Sequence, residues 1–76
     1  MYDLSLVSAN HIRHYSICRI APAGWEVTVA QDVSLQLHRV YYDWHRVERM
    51  LALFEREVSE LVGAGWSILR GSGQPS

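Results

Sequence analysis

From Asp43 onward, apolar residues fall at Trp44, Val47, Met50, Leu51, Phe54, Val58, Leu61 and Val62. Those intervals place all eight within one stripe at the helical period. Asp43 is suited to cap the first turn, because its carboxylate can accept from the amides ahead of it. Gly63 and Gly65 offer the left-handed residue on which helices end. The pattern predicts a helix over about 44–62.

Upstream the period becomes two. Trp25, Val27 and Val29 alternate with Glu26 and Thr28, and Val33, Leu35 and Leu37 alternate with Ser34 and Gln36. Two such runs predict a hairpin with one buried face. Val29 is expected opposite Val33, with Ala30-Gln31-Asp32 as the loop and Asp32 in its left-handed position. Past Leu37 the alternation slips at His38-Arg39, which predicts a bulge there. APAG at 21–24 reads as a turn. Before it, HIRHYSICRI is strand-like, and a further strand over about 2–8 follows from Tyr2, Leu4 and Leu6. WSILR could add a short terminal strand, and GSGQPS reads as a flexible tail.

The expected fold is therefore α+β: an antiparallel meander of three or four strands with one C-terminal amphipathic helix packed on one face. Residues 1–70 form a single domain and 71–76 the tail. Such a two-layer sandwich leaves the other sheet face without a covering layer. If Ile20 pairs with Trp25, then Ile12, His14, Ser16, Cys18 and Ile20 face the core, and Arg13, Tyr15, Ile17 and Arg19 lie on the uncovered face. A shift of one residue exchanges the two sets.

Composition narrows the function classes. Half the residues are hydrophobic (49%), which excludes a disordered chain. Small apolar-rich domains commonly finish burying their surface against a second copy. The single cysteine, Cys18, excludes an intramolecular disulfide and suits a reducing, cytoplasmic compartment. No apolar run approaches the roughly 20 residues that span a bilayer, so no membrane association is expected. Seven Arg stand against eight acids, for a net charge of −1, so no strong global field steers the chain to nucleic acid.

No catalytic motif is present: there is no Gly-rich phosphate loop, no H-E-x-x-H and no G-x-S-x-G. A lone thiol on a strand, such as Cys18, is ordinarily a core residue. His11, His14, Cys18, His38 and His45 fit no closed zinc pattern, since on a strand His11 and His14 point to opposite faces. No enzyme activity, metal or cofactor is expected.

Function is expected on the uncovered face. Arg13, Tyr15, Ile17, Arg19 and His38 are the expected partner-binding residues there. They suit a homo-oligomer or another protein partner, because Tyr and Arg are enriched at protein interfaces. The alternative is single-stranded or duplex nucleic acid, with Arg13, Arg19, Arg39 and Arg46 on phosphates and Tyr15 as a stacking plane. The segment HRVYYDWHRVER, 38–49, is then mostly a strand-to-helix junction. Its Arg46 and Arg49 lie near the helix's positive end, with Glu57 and Glu60 near its negative end, against the macrodipole preference.

Tyr15-Ser16-Ile17, a Trp-led strand, Ala52-Leu53-Phe54 and Gly65-Trp66 together resemble the WGR domain, a DNA-end-associated module. The resemblance implies nucleic-acid binding. Trp25-Glu26-Val27 stands where that family has Trp-Gly-Arg, the surrounding basic residues are missing, and the shared positions are scattered ones that any ββα unit supplies. The expected function is therefore a small self-associating, protein-binding module.

Overall fold

The computed structural model describes residues 2–69, and the expected tail over 71–76 lies outside them. The chain forms β1 (Tyr2–Ser8), β2 (His11–Ile20), β3 (Gly24–Gln31), β4 (Ser34–Tyr41), α1 (Trp44–Gly63) and β5 (Ser67–Leu69). The strands make one antiparallel sheet in the order β4-β3-β2-β1-β5. This is the expected α+β meander with one strand more than the three or four read from sequence. The helix carries the chain back across the sheet, and Ser67–Leu69 then pairs with the free edge of β1.

Helix α1 begins and ends for the expected reasons. Asp43 is extended, and its side chain accepts from the His45 amide. At the other end Gly65 has a φ of 110°, a value that L side chains rarely adopt. Val47, Phe54 and Val58 are buried, with Met50, Leu51 and Leu61 packed beside them. Trp44 and Val62 sit at the margin of the stripe and stay partly exposed. The Trp44 ring meets Trp25 at 5.4 Å, which pins the start of the helix to β3.

Two details of the sheet differ from the alternation. The β3–β4 turn has two residues rather than three, with Gln31 opposite Ser34 and Asp32 at φ 54°. Asp32 can hold this conformation because its carboxylate accepts from the Ile12 amide and faces His11 across the strand end. The bulge falls at Gln36, not at His38-Arg39, since Leu35 pairs with Ala30 and Leu37 with Val29. Val33 is consequently solvent-exposed and Leu35 moves to the uncovered face. Only Leu37 of that run joins the core.

The larger correction concerns β2. Arg19 pairs with Trp25 and Ile20 with Gly24, one residue away from the register that puts Tyr15 outside. Tyr15 and Ile17 are therefore buried under α1, with Leu6, Val27 and Val29. The strand begins at Gly24, which lies against the Tyr42 ring, and the turn is Ala21-Pro22-Ala23. The physical reason is burial: this register buries a Tyr and an Ile where the other would bury a Ser and a His, and burial of large apolar groups is the stronger drive.

Phe54 is 3% exposed and touches the rings of Tyr15 (5.0 Å) and Tyr2 (6.2 Å). Phe54→Ala should cost about 3–5 kcal/mol, enough to unfold most of a marginal domain. Urea denaturation followed by circular dichroism checks this. An unchanged midpoint would mean that α1 packs through another face.

Candidate functional site

The β2 register sends Arg13, Tyr15, Ile17 and Arg19 to the helix side of the sheet, so four of the five expected partner-binding residues are not on the uncovered face. Tyr15 is 0% and Ile17 1% exposed, which leaves neither available to a partner or a base. Arg19 is exposed at the end of β2 beside Trp25. His38 alone lies on the uncovered face, opposite Thr28, where its Nε2 is 2.7 Å from Glu26 Oε2.

Arg13 and Tyr15 belong to a network beneath α1. The Tyr15 hydroxyl donates to Glu57 Oε1 at 2.6 Å and accepts from Arg13 Nε at 2.8 Å. Arg13 also donates to Gln31 Oε1 at 2.9 Å and reaches Glu57 Oε1 at 3.3 Å. Burial, with the hydrogen bond to Glu57, pushes the Tyr15 hydroxyl up from its ordinary 10.0 to about 12. For Arg13, burial acts against the charged form but is outweighed by Tyr15 and Glu57, so its pKa rises. This guanidinium is engaged through all three of its nitrogens by partners of its own chain. It ties sheet to helix rather than waiting for phosphate.

The uncovered face is made by alternate residues of all five strands. By register it holds Asp3, Ser5 and Val7 of β1, Ile12, His14, Ser16, Cys18 and Ile20 of β2, and Glu26, Thr28 and Ala30 of β3. Leu35, His38 and Val40 of β4 and Ser67 and Leu69 of β5 lie there too. Ile12 (50% exposed), Leu35 (63%), Val40 (38%) and Leu69 (47%) are open to solvent. Its histidines hydrogen-bond to carboxylates of the same face, His14 to Asp3 and His38 to Glu26. Among the described residues no arginine lies on this face.

The other described surface feature is a groove along the flank of α1 that borders β4. One part, about 330 Å³, is lined by residues including Leu37, Met50, Leu53 and Glu57. The adjoining part, about 370 Å³, is bounded by Tyr41, Arg46, Arg49, Met50 and Leu53. Arg39 stands between Leu37 and Tyr41 on the same side of β4. Arg39, Arg46 and Arg49 are exposed and have no carboxylate partner among the described residues. The sequence pattern pointed to Arg39 and Arg46 but not to the groove, because the groove arises from a sheet wider than its single helix.

Among the described residues no three His, Cys, Asp or Glu side chains converge as metal ligands, and no helix is long and apolar enough to cross a membrane. No family model matches the chain, and no curated protein or solved structure matches it with significance.

Tyr15→Phe removes a hydrogen bond to a charged acceptor and should cost about 1.5–3 kcal/mol at neutral pH. The native hydroxyl ionises near pH 12 and the unfolded one near 10.0, so the unfolded chain holds fewer protons in that window. Stability from this group is fully present below the unfolded value and is lost as pH rises toward the folded one. Wild-type stability should fall more steeply than that of Tyr15→Phe over the same interval. Equal pH slopes in urea titrations would show that the hydroxyl is not held by Glu57.

Proposed function

We propose that this domain is a small non-enzymatic interaction module of a reducing compartment, and that its uncovered sheet face takes a protein partner, a second copy first of all. The observation that carries the reading is the make-up of that face. Exposed Ile12, Leu35, Val40 and Leu69 surround histidines hydrogen-bonded to carboxylates of the same face. A plane with exposed apolar side chains, whose histidines and carboxylates already hydrogen-bond one another, loses less by desolvation against another protein surface than one with unpartnered polar groups. A phosphate backbone needs unmatched cations, and this plane offers none among the described residues.

Five strands spaced about 4.8 Å apart, rising about 3.3 Å per residue, give a plane of roughly 500 Å². Two such planes reach roughly the 1,000 Å² at which specific association begins. The contact expected is modest and reversible, and its partner sheet would cross at a small angle, as packed sheets do.

Ile12→Glu with Val40→Glu places charge at both ends of the plane, at exposed positions the fold does not need. Light scattering on size-exclusion fractions should show the wild-type mass falling in this variant. A wild-type mass that these substitutions leave unchanged would remove the sheet face from the account. Binding of a single-stranded oligonucleotide at low salt by the wild type, with no self-association, would replace the protein reading by the nucleic-acid one.

A further inference from the structure

The geometry points to a second self-contact, separate from the sheet face: antiparallel pairing of α1 with α1 of another copy, centred on Leu53. The flank of α1 that borders the groove reads Arg46, Arg49, Leu53, Glu57 and Glu60. Steps of three, four, four and three keep these residues in one line on a helix. All five are exposed, and Leu53, at 48%, is the apolar residue at the middle of the line.

The line is self-complementary under a two-fold rotation. Arg46 and Glu60 each lie seven residues from Leu53, and Arg49 and Glu57 each lie four. With two helices antiparallel and Leu53 on the axis, Arg46 meets Glu60 of the second copy and Arg49 meets its Glu57. Leu53 meets Leu53. A parallel pairing would instead set arginine against arginine, so the charge order selects one orientation as well as one register.

The charges are available for this use. Among the described residues Arg46, Arg49 and Glu60 have no ion-pair partner in their own chain, and Glu57 engages Arg13 and Tyr15 through Oε1 alone. The first turn of α1 holds no acid and the last no base, the reverse of what the helix dipole favours in an isolated helix. An intermolecular role accounts for that order; solvent exposure by itself does not.

The test uses charge reversal at two exposed positions that face each other only across the axis. Arg46→Glu and Glu60→Arg should each weaken self-association about tenfold or more, because each converts two attractions per dimer into repulsions. The chain carrying both substitutions should recover wild-type association, and an equimolar mixture of the two single variants should form the mixed dimer. Both single variants should melt slightly higher than wild type when diluted to monomer, since each now agrees with the helix dipole. A lower melting point would assign the loss of association to the fold and overturn the proposal. Leu53→Glu should abolish this contact. Association unaltered by the single reversals, or not restored by the double one, would overturn the helix pairing.

Repeating the reversals in the Ile12→Glu/Val40→Glu protein separates the two surfaces. Helix pairing predicts that this protein still dimerises and still responds to charge at 46 and 60. A monomer there, insensitive to both, would refute the helix contact and leave the sheet face standing. Persistence of a charge-dependent dimer when those sheet substitutions changed nothing in the wild type would do the opposite.

Discussion

A single residue of register between β2 and β3 decides which side of this sheet becomes the interior. With Arg19 opposite Trp25, the odd positions of β2 turn toward α1, and Tyr15 and Ile17 enter the core together. Every other assignment depends on that choice. Leu4 and Tyr2 reach the same layer through their pairing with Tyr15 and Ile17, and Phe54 finds two aromatic rings to pack against. The arginine at 13 comes with them, and its charge must then be satisfied indoors. Glu57 performs that task from the helix, so an ion pair bridges the two layers at the edge of an otherwise apolar core. With Arg13 only partly exposed, the bridge serves to fix the helix's placement as much as to add stability.

Helix, strands and layering were all legible from the order of residues, because each has a strong period of its own. The face of β2 was not, and the reason is specific. Its two alternating sets, Ile12-His14-Ser16-Cys18-Ile20 and Arg13-Tyr15-Ile17-Arg19, each mix apolar with polar residues. Periodicity alone cannot rank them; the register with β3 does so, by burying Tyr15 and Ile17. The bulge at Gln36 was invisible for a related reason. Val33, Leu35 and Leu37 form a flawless alternation, yet a two-residue turn takes Val33 out of the sheet altogether. Turn geometry overrode the pattern. The partner-binding set built on Tyr15 and Ile17 failed with the register, while the plane it was meant to occupy survives with other residues on it.

The sheet is also wider than one helix can cover, and this mismatch shapes the outer surface on both sides. Away from α1, the whole plane is bare. On the helix side, β4 projects past α1 and leaves the groove between Leu37, Tyr41, Met50 and Leu53. A lone domain of this size has little apolar surface to spare from its core. Yet several large apolar side chains remain half exposed in these two places. A chain under selection only to fold would gain by exchanging Leu53 or Val40 for polar residues, which improves solubility at no cost in packing. Their presence makes sense if association completes the burial that folding leaves unfinished.

Charge along α1 carries the same logic a step further. Basic residues at the start of a helix and acids at its end each lose a few tenths of a kcal/mol to the macrodipole, and the loss is small enough for a folded domain to tolerate. An arrangement tolerated for no reason would be expected to scatter, with some charges in the favourable order and some against it. Here the ordering is consistent along one flank: Arg46 and Arg49 precede Leu53, and Glu57 and Glu60 follow it at mirrored distances. An antiparallel neighbour reverses the sign of the penalty, because the positive end of one helix then lies beside the negative end of the other. The dipoles and the side-chain charges of such a pair favour the same antiparallel orientation. What is a defect in the isolated helix becomes, in the pair, a device that fixes direction and register without adding a single buried charge.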